Sequence, residues 1–109
     1  MIAIMTTMQE IIEDLNQNEV KYINSRWRSD LQNKERVSRL LYLTLQQLTD
    51  DFTYSDVETV CKNIGVTTPD DISIMSGEFQ DLIRIGIVKE KKPTDVNQQE
   101  KKYAYKQLT

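Results

Sequence analysis

The sequence predicts a mainly α-helical domain that ends in a C-terminal β-hairpin. Three observations carry this prediction. Apolar residues recur at helical spacing from Met8 to Ile83. The motifs Thr53-x-x-Asp56 and Thr68-Pro69-Asp70-Asp71 are helix-start signals. After Gly86 the apolar period shortens from about 3.6 to about 2, the change that separates helix from strand.

Thr7-x-x-Glu10 reads as a capping box opening a helix with Met8, Ile11, Ile12 and Leu15 on one face. Past the polar run Asn16-Gln17-Asn18, residues Val20, Ile23, Trp27 and Leu31 continue the stripe, as one long helix or as two segments meeting near that run. Such a stripe needs a cover, either the rest of the domain or a second copy of the chain. Asn33 is placed to cap the next helix. There Val37, Leu40, Leu41, Thr44, Leu45 and Leu48 follow i, i+3, i+4, i+7, i+8, i+11, and Tyr42 and Leu43 add apolar surface elsewhere, so this helix is expected to be central. Asp50-Asp51 ends it.

Thr53 then caps a short helix whose core face is Val57, Val60, Cys61 and Ile64, with Phe52 and Val57 placed as a hydrophobic staple. Gly65 is its expected left-handed terminator. Proline at a first helical position followed by two acids opens the next helix. It bears Ile72, Met75, Phe79, Leu82 and Ile83, stops at Gly86, and has a candidate break at Ser76-Gly77. Strands are expected over residues 87–92 and 101–108, with Tyr103 and Tyr105 on a shared face and the polar segment 93–100 between them.

Composition narrows the chemistry. The chain has 109 residues, enough for one domain with a modest core, and its formal net charge is −3. It has no histidine, which removes the commonest general base, the His-activated nucleophiles and most zinc sites. The acidic pairs Glu13–Asp14, Asp50–Asp51 and Asp70–Asp71 read as solvated or helix-end charges, and Asp70–Asp71 offsets the dipole of the helix it opens. Gly65, Gly77 and Gly86 make no phosphate loop, and the single cysteine, Cys61, falls on a helical core face. No apolar stretch is long enough to cross a bilayer, and residues 1–8 lack the features of a secretory signal. The expectation is a cytoplasmic, non-enzymatic binding protein without metal or cofactor.

The order of helix, short helix, turn, helix, Gly, strand, long loop and strand resembles the winged helix-turn-helix superfamily. The phrase that carries the likeness is Phe79-Gln80-Asp81-Leu82-Ile83-Arg84-Ile85-Gly86-Ile87-Val88-Lys89, an apolar helical face running to a glycine and an aliphatic pair. The likeness spans residues 34–109 or so. One departure is the stretch from Gly65 to Gly86, a few residues longer than in compact members, which leaves room for an extra turn before the third helix. The resemblance implies a winged-helix-like domain over 33–109, preceded by an N-terminal helical element over 1–32 that could dimerise. It further implies that the third helix enters the DNA major groove through positions between Ser73 and Arg84, with Gln80 among them. The wing would place Lys89, Lys91, Lys92, Lys101 and Lys102 on the DNA backbone.

Charge distribution complicates that docking mode. Residues 50–81 hold one base, Lys62, and eight acids, a balance of −7, although affinity for DNA rests largely on Lys and Arg neutralising phosphates. Residues 84–109 hold seven bases and three acids, and residues 20–39 hold six bases and two acids, +4 in each case. Arg26, Arg28, Arg36 and Arg39 therefore join the wing lysines as candidate nucleic-acid contacts. Trp27 between Arg26 and Arg28 could stack on a base, or it could bury its ring in the helical stripe while the arginines stay solvated. Lysines on a hairpin also protect an edge strand. Two functions compete. The favoured one is a DNA-binding transcriptional regulator, dimeric through the N-terminal helix. The alternative is a protein-interaction module, or a DNA-mimicking inhibitor, whose partner docks on the acidic helix-turn-helix face.

Overall fold

The computed structural model describes residues 8–17, 19–49, 51–92 and 100–105. Among the described residues, five α-helices run in the order α1 (Met8–Gln17), α2 (Val20–Arg26), α3 (Asn33–Leu48), α4 (Tyr54–Ile64) and α5 (Pro69–Ile85). A 3-10 turn, Asp30–Gln32, precedes α3, and three short strands, β1 (Phe52–Thr53), β2 (Val88–Glu90) and β3 (Lys102–Tyr105), complete the fold. The strands form one antiparallel sheet in the order β1-β3-β2, so the chain is mainly helical with a small sheet.

Helix α3 is central, packing against α4, α5 and α2. Its face of Val37, Leu40, Leu41, Thr44 and Leu45 is fully buried, as the spacing predicts. The N-terminal stripe divides into two helices around residue 18. Ile11, Ile12, Leu15, Val20 and Ile23 join the same buried cluster as the rest of the chain. α1 packs on α4 and α2 on α3, so the chain itself covers the stripe from which dimerisation was expected. The predicted capping box at Thr7 lies outside the described residues.

Two expectations fail at the start of α3. Leu31 does not continue the stripe, because α2 ends at Arg26, and Leu31 in the 3-10 turn is 98% exposed. Asn33 is not a cap but the first helical residue, following Gln32, which makes no side-chain cap bond. The reason is competition: the Asn33 side chain donates to Asp71 and accepts from Arg36. α3 also ends at Leu48, before the acidic pair, with Thr49 and Asp51 both in left-handed backbone (φ 55° and 57°).

Both central helix starts form as predicted. Thr53 and Thr68 each accept from the backbone N–H three residues on, and the Asp56 and Asp71 side chains accept in return from the capping residue. α4 and α5 each end on a glycine with positive φ. Val66 N–H bonds Cys61 C=O and Ile87 N–H bonds Leu82 C=O, the six-residue closure that satisfies terminal carbonyls. Gly65 is doubly required, since a Cβ there would lie 2.7 Å from the Asn24 side chain. The candidate break at Ser76-Gly77 does not occur, and α5 runs unbroken for 17 residues. The extra length before Gly86 is thus helix.

Strands β2 and β3 are shorter than the periodicity suggests, and residues 93–99 and 106–109 of the predicted hairpin lie outside the described residues. β1, two residues long, was not foreseen. Aromatic rings join the sheet to α5: Phe79 meets Tyr103 edge-on at 5.2 Å and Tyr54 at 5.4 Å, and Phe52 lies beyond Tyr103.

Candidate nucleic-acid interface

A buried polar network fixes α5 relative to α3. The Arg36 guanidinium donates to Asn33 from Nε and Nη2, to Asn24 Oδ1 and the Gly65 carbonyl from Nη1, and to Asp71 Oδ2 from Nη2 at 2.8 Å. These bonds occupy all five of its donors. The Arg36 and Asp71 side chains are 13% and 4% exposed, and Asn24 closes the network by donating to the Ile64 carbonyl. Burial pushes the Asp71 carboxyl up. Hydrogen bonds from Asn33 and Arg36, the Arg36 charge and the Thr67 N–H outweigh that and hold it at about 2, below its ordinary 3.8. Arg36, a candidate contact by charge, is therefore turned inward and works as a structural tie.

α5 presents Asp70, Ser73, Gly77, Gln80, Asp81 and Arg84 to solvent, opposite its buried Met75, Phe79 and Leu82. Ser73, Gln80 and Arg84 thus share one outward face. The acids of residues 50–81 are not an open negative field. Asp71 is paired with Arg36, Glu78 with Lys34 of α3, Asp81 with Arg84, Glu58 with Lys62, and Asp51 with Lys91 and Lys102, while Asp56 is engaged in its capping box. Among the described residues, Asp70 is the acid of the α5 outward face that makes no ion pair. Counting charge along the chain missed part of this, because Lys34 and Arg36 come from α3 and Lys91 and Lys102 from the hairpin.

Alternation along the hairpin sorts its residues between two faces. Phe52, Val88 and Tyr103 turn inward and are buried, and the partly buried Tyr105 packs with them, so the predicted shared tyrosine face is the core face. Thr53, Lys89, Lys91, Lys102 and Ala104 fall on the opposite face, where Lys89 pairs in register with Ala104. The bond from Lys91 N–H to the Lys102 carbonyl (2.8 Å) extends this register, placing the two lysines opposite each other. Lys101 lies 3.9 Å from Glu90, and Lys92 is exposed just past β2.

Arg26 and Arg39 lie elsewhere, about α2 and the outer side of α3. Trp27 is half-buried, with the Arg39 guanidinium 4.2 Å above its ring and that of Arg26 at 5.6 Å. Arg39 also pairs with Glu35 at 2.6 Å. The ring face on which a base would stack is therefore occupied by the chain's own cation. Arg28 is exposed and lines an open cleft of about 560 Å³ together with Asn24, Thr67, Thr68 and Asp70. Sequence reasoning missed Asp51 as a partner of the hairpin lysines Lys91 and Lys102. It also missed Leu31, which projects beside Asp70, Ser73 and Ile74 at the N-terminal half of α5.

Comparison with known proteins found no matching family model, no matching curated protein and no matching solved structure.

Proposed function

We propose that this chain is a winged-helix DNA-binding protein, a transcriptional regulator in which α5 faces the major groove and the hairpin contacts the phosphate backbone. The observation that carries the reading is the solvent face of the hairpin. Strand alternation gathers Lys89, Lys91 and Lys102 there, on a sheet joined to α5 through Phe79 and Tyr103. Two further features support it. The elements α3, α4, turn, α5, Gly86, β2 and β3 follow the order that suggested the family. The internal pairing of the acids lowers the electrostatic barrier that the raw charge count sets against DNA. On α5, Arg84 and Gln80 have the donors and acceptors to read guanine and adenine edges, and Ser73 can serve either.

The test is fluorescence anisotropy on a labelled duplex of random sequence across a salt series. Log K should fall linearly with log salt, by ~0.9 for each phosphate neutralised. Replacing Lys91, Lys92, Lys101 and Lys102 with alanine should weaken binding and flatten that slope by up to ~3.6. No binding at low salt refutes the reading.

A protein-docking role is the second reading, and it draws on the 98% exposed Leu31 beside the start of α5 and on Ile85, 63% exposed at its end. Its DNA-mimic form is poorly supported, because a mimic needs unpaired carboxylates in a regular array and most of these acids are paired within the chain.

A further inference from the structure

The register of the hairpin sets Lys91 directly opposite Lys102, with both side chains on the outer face. Like charges placed opposite each other across an antiparallel pair are destabilising. Here a third strand supplies the remedy. Asp51 immediately precedes β1, which pairs with β3, and its carboxylate reaches Lys91 Nζ through Oδ1 at 3.8 Å and Lys102 Nζ through Oδ2 at 3.7 Å. Two ammonium groups brought together by strand register and bridged by one carboxylate make a seat for a compact oxyanion. All three side chains remain partly exposed, at 37%, 39% and 59% for Lys91, Lys102 and Asp51, so an incoming anion has access.

We propose that Lys91 and Lys102 form a phosphate seat for the nucleic-acid backbone, and that the free chain fills this seat with its own Asp51 carboxylate. Asp51 then has two consequences. It keeps the paired lysines together before binding, and it competes with the phosphate for them, so that nonspecific affinity is set below what the wing lysines alone would give. The inference rests on the DNA-binding reading above.

Asp51→Asn is the suitable probe. Asparagine, like aspartate, tolerates the left-handed backbone at this position (φ 57°), so the substitution removes the charge without forcing the turn to change. Glu13→Gln is the control: it removes one exposed charge from α1, which packs on α4 and α2 rather than on the hairpin. Both variants are titrated against the same random duplex over the salt series, with circular dichroism melts to confirm folding.

The seat predicts that Asp51→Asn tightens binding several-fold more than Glu13→Gln at low salt. Its salt slope should steepen by ~0.9, one further phosphate neutralised, while the control leaves the slope unchanged. In a background with Lys91→Ala and Lys102→Ala the gain should vanish. Equal effects of the two substitutions, or weaker binding by a folded Asp51→Asn, overturn the seat while leaving DNA binding intact. If neither the wild-type chain nor Asp51→Asn binds duplex at low salt, the DNA-binding reading falls and the seat with it.

Discussion

Replacing Arg36 with methionine tests the tie between α3 and α5. The substitution keeps much of the aliphatic stem and removes five hydrogen bonds, one of them to a carboxylate that is 4% exposed. It leaves Asp71 buried without its cation, and the Gly65 carbonyl and the Asn24 and Asn33 side-chain oxygens without that donor. Removing one partner of a buried pair costs about 3–5 kcal/mol, because the other charge stays desolvated. Against a total stability of roughly 5–15 kcal/mol for a domain, that is a large fraction. It corresponds to a fall in Tm of roughly 10–20 °C at this chain length. Urea unfolding followed by circular dichroism measures it, and the double variant with Asp71→Leu should recover part of the loss by removing the stranded charge. A cost for Arg36→Met below about 1 kcal/mol would refute the claim that this network holds the two helices together.

Other consequences are open to direct measurement. Asp71 titrates at about 2 in the folded chain against an ordinary 3.8. A depressed carboxylate contributes stability above its unfolded value and loses it as pH falls, so about 2 kcal/mol should disappear between about pH 5 and pH 2, a loss absent from Asp71→Asn. Gly77 sits mid-helix on the exposed face of α5, with nothing within 4 Å of where a Cβ would be. Gly77→Ala should therefore raise stability by about 0.5–1 kcal/mol in the same unfolding assay, and any loss contradicts the open-face placement. Burial raises the Cys61 thiol to about 12, against a lowering hydrogen bond with Thr44 and with a smaller rise from Glu58. A thiol-specific reagent at pH 8 should accordingly react with unfolded chain in urea and scarcely at all with the native protein.

Local signals carried most of the fold. Thr53 with Asp56, Thr68 with Asp71, and the glycines at 65 and 86 act within a few residues, and each forms the cap or terminator it encodes. The long periodic face of α3 was equally legible, because burial of a stripe is a property of spacing. What failed was non-local. Asn33 reads as a cap until Asp71 and Arg36, 38 and 3 residues away, claim its side chain. Leu31 reads as part of a stripe that Trp27 has already ended. β1 was invisible because two residues have no period, and its pairing with β3 is what brings Asp51 to the hairpin lysines. The candidate site suffered the same way. Residues 50–81 look strongly acidic in one dimension, yet Lys34, Arg36, Lys91 and Lys102 arrive from other elements to meet three of those acids, Glu78, Asp71 and the shared Asp51, while Asp81 is met by Arg84 of its own helix.

The most direct test of the account is to titrate isotope-labelled protein with duplex DNA at low salt and map which backbone amides shift. DNA docking through α5 and the hairpin predicts shifts concentrated on the outward face of α5, at Ser73, Gln80 and Arg84, and along the hairpin at Lys89, Lys91, Lys92, Lys101 and Lys102. Shifts confined to α1 and α2, or no shifts at all, would contradict it.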